Sequence, residues 1–375
     1  MKLALTGYGV VSSLGVGRDA FSAALRRPSL DGAGFRADST VAPGRRVAEI
    51  WDWAPKEHLG AKGHRTFDRL TKFLIAAGKY ALVDAGLKAD GEFLPGRSSK
   101  DVGVCSATAY GSLDAIAELN RVAELEDPRY INPQRFPNTV INAAAGYVSI
   151  WEKLEAPNTT IVDGNCGSLD AVLVAETQLR HRRGRAFLVG GGEVASEPLL
   201  TALSRLGLGP AGEDLCVGEG AAYFVTETPE DAAERDATVL AYITGYGTAF
   251  DAPESEALLV HGSSRAVMES AQGAMADAGI EPGDVDLVVR ATSGLAPFDA
   301  AEAAGLAEAR LAETPALYPK RWIGECFGAA GAFGMAAAVE AMGGNIGSVS
   351  GDTKTVLVTT LGYYGNASSV VLRRP

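Results

Sequence analysis

Four cysteines, Cys105, Cys166, Cys216 and Cys326, supply the sulfur nucleophiles of this chain. One of them sits in a setting suited to chemistry. Cys166 is at the tip of a small-residue turn, Gly164-Asn165-Cys166-Gly167-Ser168. The apolar run Thr160-Ile161-Val162 before it reads as the end of a buried strand. After it, Leu169, Val172, Leu173, Ala175, Glu176 and Leu179 follow helical spacing up to Gly184, and Ala186-Phe187-Leu188-Val189 reads as a second buried strand. A thiol between a strand end and a helix N-terminus faces free backbone amides and the positive end of the helix dipole. Its pKa is therefore expected to fall, and its reactivity to exceed that of Cys105, Cys216 and Cys326, which read as core or strand residues. The bland alternative is a small buried side chain, the usual fate of a free cysteine.

Other chemistries find little support. The cysteines lack CxxC spacing, and His58, His64, His181 and His261 are scattered, so neither a metal centre nor a disulfide framework is expected, and no cofactor. The formal net charge is −12, and the one basic cluster, Arg180-His181-Arg182-Arg183, reads as a solvated helix end, which argues against nucleic acid. No apolar run reaches membrane-spanning length, and the chain opens on a strand-like LALTGYGVV instead of a signal peptide. A soluble, cytoplasmic protein is expected.

Positioning Cys166 takes a layered α/β scaffold, and the chain alternates strand-like and amphipathic helical runs accordingly. Leu3–Val11 reads as a strand, Asp19–Leu25 as a helix, 27–64 as an irregular surface excursion, and Asp68–Leu87 as a long helix. Val102–Val104 reads as a strand, 111–135 contains an acidic helix, and Phe136–Thr139 starts a helix toward Ile150. From about residue 238 the pattern begins again. Thr244-Gly245-Tyr246-Gly247 repeats Thr6-Gly7-Tyr8-Gly9, and Met275–Ile280 echoes Leu82–Leu87. Asp284–Leu287 echoes Asp101–Val104, Gly324-Glu325-Cys326 falls where Gly164-Asn165-Cys166 fell, and Val356–Val358 parallels Leu188–Val189. Two similar halves, 1–237 and 238–375, are expected, with Cys166 and Glu325 as near-symmetric tips of a shared pocket.

As a set, TGYGVVSSLG (6–15), FDRLTKFLIAAGKYALVDAGL (67–87), FPNTVINAAAGYVSIWEKLEAPNTTIVDGNCGSLDAV (136–172), VGEGAAYFV, PFDAAEAAGL and GECFGAAG resemble the β-ketoacyl synthase (condensing enzyme) branch of the thiolase fold over nearly the whole chain. The resemblance implies an α/β thiolase-like fold, two pseudo-symmetric βαβαβαββ halves in an α-β-α-β-α arrangement. It also implies acyl-carrier-protein thioesters as partners. Cys166 falls on the family's acyl-accepting nucleophile, and Thr292 and Glu325 fall where the family has its two histidines. Lys320 matches the family lysine. Gly362, Tyr363, Tyr364 and Phe327 fall where substrate is contacted, Gly362 to Tyr364 in a gating loop that is bulkier and one residue shorter than the family's. The loop between Ser196 and Gly218 is also short.

A Cys–Thr–Glu set cannot act as Cys–His–His. An ionised Glu325 about 4 Å from a thiolate costs roughly 4 kcal/mol at an effective dielectric near 20, and it repels a malonyl carboxylate. Thr292 does not titrate near neutral pH. Glu325 has three open readings: charge repulsion toward Cys166, a general base, or a structural ion pair with Lys320 or Arg321. For the protein, three readings follow. It is a chain-length-factor-like partner of an active ketosynthase, a variant acyltransferase using Cys166 with Glu325 and Thr292, or a binding module without turnover. The family's dimer face implies a homodimer or a heterodimer with a ketosynthase, pairing through an edge strand at Asn158–Val162.

Overall fold

A computed structural model describes residues 2–36, 38–42, 46–208, 215–255 and 260–375. Its strands are β1 (Leu3–Ser12), β2 (Val102–Ala107), β3 (Asn158–Ile161), β4 (Ala186–Glu193), β5 (Gly220–Glu227), β6 (Ala241–Phe250), β7 (Leu287–Val289), β8 (Ala316–Leu317), β9 (Thr355–Leu361) and β10 (Asn366–Arg373). Among the described residues they form one sheet in the order β8-β7-β9-β10-β6-β1-β5-β4-β2-β3, with Gly15–Val16 added beside β1. The order is a palindrome about the β6–β1 pair. Each half has a central strand from the repeated Thr-Gly-Tyr-Gly run, an antiparallel neighbour, and then parallel strands to the edge.

The two glycine runs explain why the halves match. Strand pairing slips between Leu5 and Gly7 in β1 and between Ile243 and Gly245 in β6, the same bulge in both copies. Four helices matter for the site: α1 (Arg69–Asp84), α2 (Gly167–Arg180), α3 (Ser264–Ala278) and α4 (Ala330–Met342). Cβ atoms on Gly9 and Gly247 would overlap the carbonyls of Ala77 in α1 and Ser270 in α3, so glycine lets each helix lie directly on its strand. Tyr8 N donates to Asp84 Oδ2 at 2.9 Å and Tyr246 N to Asp277 Oδ2 at 3.0 Å, again in register.

Layering follows from which face each helix buries. α1 packs on β1, β5 and β4, and α3 packs on β6, β10 and β9, forming the outer layers. α2 and α4 pack on each other and on strands of both halves, forming the middle layer. α4 is buried at every position from Gly331 to Met342, as its all-round apolar sequence requires. Two phenols cross between halves. Tyr8 Oη donates to Glu340 Oε1 of α4 and Tyr246 Oη to Asp170 Oδ1 of α2, both at 2.7 Å.

Two expectations need correction. The run Thr160–Val162 is not the end of a buried strand: β3 is the outermost strand, its residues are at most half-buried, and Val162 is 54% exposed. As the last strand of the sheet among the described residues it is covered on one edge alone, so hydrophobicity in sequence did not translate into burial. The stretch 27–64 is not wholly superficial either, since Val47–Ile50 is buried and Val47–Ala48 pairs with Val217–Gly218. The short connection after Ser196 begins as a helix, Glu197–Arg205, and its 209–214 portion lies outside the described residues.

Candidate functional site

The two symmetric tips meet in the middle layer. A short 3₁₀ turn, Gly164–Cys166, leads into α2, and another, Phe327–Ala329, leads into α4; the two turns pack against each other. Gly164 has φ +52, which allows the sharp turn out of β3. The start of α4 is tied to α2 by Ala332 N donating to Ser168 Oγ at 3.0 Å.

Cys166 stands where the sequence put it, at the start of α2, but its acidity is opposite to the expectation. The side chain is fully buried, and desolvation pushes its thiol up to about 12, with the nearby carboxylates of Asp170 and Asp163 adding to the rise. Hydrogen bonds from Thr360 and Ser368 only partly oppose it. The helix-terminus argument failed because its donors are taken or outweighed: Cys166 N already donates to Asp163 O at 3.1 Å. Cys105 and Cys326 are buried as expected, but Cys216 is only half-buried, which makes it the most accessible of the four.

Glu325 is fully buried and accepts four hydrogen bonds. Its carboxylate accepts from Lys320 Nζ at 2.6 Å, Phe327 N at 2.8 Å, Asn165 Nδ2 at 3.2 Å and Tyr363 Oη at 3.4 Å. The ion-pair reading is thus the geometry found, with Lys320 as partner. Cys166 instead faces Thr360, Ser368 and Asp170. Thr292 donates through Oγ1 to Glu302 Oε2 at 2.8 Å; Glu302 also accepts from Thr359 Oγ1 at 2.8 Å and from Ala291 N. Proton transfer needs donor and acceptor within hydrogen-bond reach, and no such pair links Cys166 to Thr292 or Glu325.

The residues expected to contact substrate split into a buried and an exposed set. Tyr363 is buried, with Phe298 and Phe327 edge-on at 4.9 and 6.2 Å between ring centroids, and burial raises its phenol well above the ordinary value. Tyr364 is 59% exposed. A Cβ on Gly362 would overlap the end of the Asn366 side chain, which would have to turn away. Phe327 is fully buried and holds φ +40, an uncommon conformation for a bulky residue.

Several participants escaped the sequence reading. Glu193, at the end of the Gly190-Gly191-Gly192 run, is buried and accepts from Ala109 N at 2.7 Å, Tyr110 N at 3.2 Å and Thr108 Oγ1 at 3.2 Å. Burial pushes its carboxyl up to about 7 against those donors. The three glycines were the available signal, since a Cβ on Gly190 or Gly191 would strike the carbonyls of Ala222 or Ala107. Asp170 is likewise pushed up to about 7 by burial and by sharing a hydrogen bond with Asp163, while Ser368 and Tyr246 hydroxyls hold it at 2.6 and 2.7 Å. His261, outside every motif, pairs its backbone with the 362–365 turn, donating from N to Tyr363 O at 2.7 Å.

This geometry, a cysteine-bearing turn before the middle-layer helix of a two-half α/β fold, defines the thiolase-fold condensing-enzyme class. The chain belongs to the β-ketoacyl synthase family: the family's N-terminal domain model matches residues 2–232 and its C-terminal domain model residues 240–346. It is 32% identical over 309 residues to 3-oxoacyl-[acyl-carrier-protein] synthase 2 of Coxiella burnetii, covering 76% of this chain and 72% of the relative. It is 28% identical to the putative polyketide beta-ketoacyl synthase 2 of Streptomyces halstedii, covering 100% of this chain and 97% of the relative. Among solved structures, the ishigamide ketosynthase/chain length factor superposes with a TM-score of 0.85 at 21% identity, covering 100% of this chain and 99% of that one.

Proposed function

We propose that this chain is a non-condensing member of its family, the chain-length-factor-like partner of an active ketosynthase working on carrier-protein-linked acyl chains in the cytoplasm. The observation that carries this reading is the Lys320–Glu325 ion pair. A carboxylate at 2.6 Å from an ammonium falls, by the family motif, on the position of a catalytic histidine, and its hydrogen bonds go to Lys320, Phe327, Asn165 and Tyr363 instead of Cys166. A histidine there would donate to the thioester oxygen or accept a proton; this carboxylate does neither. Thr292 is equally spent on Glu302.

An unpaired edge supports the partner half of the proposal. Beside edge strand β3 lie exposed apolar side chains, Phe136, Val140, Ile150 and Val162, on the adjoining 3₁₀ turn, helix Ala143–Glu152 and strand end. An uncovered strand edge flanked by apolar surface is a template for another chain. The ishigamide protein, of the same fold, is named as a ketosynthase/chain length factor, which makes such an assembly a fitting comparison. We infer that 1–237 and 238–375 are two thiolase-like halves acting as one body, a reading supported by the pairing of β1 with β6 in one sheet.

Co-expression with a histidine-bearing ketosynthase from the same producing organism tests the proposal. A 1:1 complex that condenses malonyl-carrier protein, from a chain that alone does not, supports it. Condensation by the isolated chain overturns it.

A further inference from the structure

Arg321 follows Lys320 directly, yet it takes no part in the Cys166 site. Its guanidinium stands 4.5 Å from the Tyr318 ring centroid, and the side chain is exposed. Arg290, just past β7, approaches the same ring at 5.9 Å. The Arg290 Nε is buried without a hydrogen-bond partner, and neither arginine forms an ion pair among the described residues. Tyr318 and Arg321 line a groove of about 990 Å³ whose floor includes the buried side chains of Trp322 and Ile346.

The segment after helix Arg18–Leu25 forms the other side of the groove and brings Arg26 and Arg27 to it. Arg26 is held in place. Its Nε and Nη2 donate to Asn345 Oδ1 at 3.1 and 2.7 Å, and Asn345 Nδ2 donates in turn to the buried Glu340 Oε2 at 2.6 Å. Backbone hydrogen bonds tie the two sides together, Gly32 N to Arg321 O at 2.8 Å and Gly34 N to Trp322 O at 2.9 Å. Asp31 is the one carboxylate among the lining residues and none of them is lysine, in a chain whose net charge is −12. Arg26 and Arg27 alone would be ordinary, since cations after a helix offset its dipole. Arg290 and Arg321 come from other elements, so guanidinium groups from three separate segments meet in one place.

We propose that this groove binds a linear oligophosphate, free or as the phosphate chain of a nucleotide. Arg26 and Arg321 grip its oxygens, and Arg290 adds charge beside Tyr318. Arginine suits this role better than lysine, because the planar guanidinium pairs bidentately with phosphate oxygens and stacks on aromatic rings. An acidic peptide spreads its charge over several residues, whereas an oligophosphate concentrates it within the span of one short groove. The groove shares no residue with the Cys166 site, so it is independent of the partner-subunit reading.

The test is isothermal titration of the full chain with sodium triphosphate, and separately with ATP and with adenosine, at about 0.15 M salt. Wild type is compared with Arg26→Gln, Arg321→Gln, Arg321→Lys and Arg183→Gln. One equivalent of triphosphate binds wild type, and adenosine does not bind. Arg26→Gln and Arg321→Gln each weaken triphosphate by about tenfold or more, the loss of one charge-assisted contact. Arg321→Lys keeps the charge but loses the fork, and recovers part of that affinity. Arg183 is exposed in the basic cluster after α2, so Arg183→Gln leaves the affinity unchanged. Equal affinity for ATP and triphosphate assigns the phosphate chain as the whole ligand; ATP about tenfold tighter assigns a nucleotide, with its base stacked in the groove. Arg26 and Arg321 are exposed, so their variants keep the wild-type urea midpoint and report binding alone. Absence of triphosphate binding to wild type at about 1 mM overturns the proposal. So does a loss in Arg183→Gln equal to that in Arg321→Gln, which is diffuse attraction to surface charge.

Discussion

Replacing Glu325 with glutamine should cost this protein stability by removing half of a buried ion pair. Lys320 Nζ stands 2.6 Å from Glu325 Oε2, with both side chains almost wholly inaccessible. The amide can keep the bond from Phe327 N, but it leaves an ammonium in the interior with no counter-charge. Truncating one member of a buried pair typically costs about 3–5 kcal/mol, most of it the desolvation of the orphaned charge. With a urea slope of about 3 kcal/mol per molar, a loss near 3 kcal/mol moves the unfolding midpoint down by about 1 M. The double variant Lys320→Met/Glu325→Leu removes both charges and should recover most of the loss, since apolar replacement of a whole buried pair is often neutral. Urea unfolding followed by tryptophan fluorescence measures all three proteins. A Glu325→Gln midpoint within about 0.2 M of wild type would refute the reasoning, as would a double variant no better than the single.

Other outcomes follow from the same structure. Glu193 and Asp170 are both pushed up to about 7 in the folded chain, so between about pH 4.5 and 7 the native state holds protons that the unfolded state has released. Stability should therefore fall as pH rises through that window, by up to about 1.4 kcal/mol per pH unit per group, and level off above it; Glu193→Gln should flatten the urea-midpoint profile. Gly9→Ala and Gly247→Ala place methyl groups against helix carbonyls of α1 and α3, and should destabilise by similar amounts, at least about 2 kcal/mol each, if the halves are true copies. Ile150→Arg combined with Val162→Arg charges the open edge and should leave the fold intact while abolishing assembly in light scattering.

Much of the scaffold was legible because glycine and period carry it. The twin Thr-Gly-Tyr-Gly runs pointed to a repeat, and both form strands with the same bulge and the same close helix contact. The turn around Cys166 and the long helix from Asp68 were readable from local signals; the structure adds that Asp68 caps the helix, its Oδ1 accepting from Thr71 N at 2.7 Å. Burial was harder to read. The acidity of Cys166 depends on Thr360, Ser368 and Asp170 closing around it, and the first two come from strands about two hundred residues away. A local helix-terminus argument cannot see that shell. Glu325 was a clearer case: its partner Lys320 lies five residues upstream, so the pair was available as one of the competing readings. The commitment of Thr292 to Glu302 was not, because nothing in either motif indicates which side of β7 the helix 296–308 presents. Glu193 was overlooked because a buried carboxylate satisfied by backbone N–H groups leaves only its glycines in the sequence.

Intact-mass analysis of the purified chain after incubation with acyl-carrier and malonyl-carrier thioesters tests the central claim most directly. A sealed Cys166 with its thiol pushed up to about 12, and a carboxylate locked to Lys320, predict no acyl adduct and no release of carbon dioxide until an active ketosynthase is added. An acyl mass mapped to Cys166 in the isolated chain, with turnover lost in Glu325→Gln, would contradict it and make the protein a variant acyltransferase.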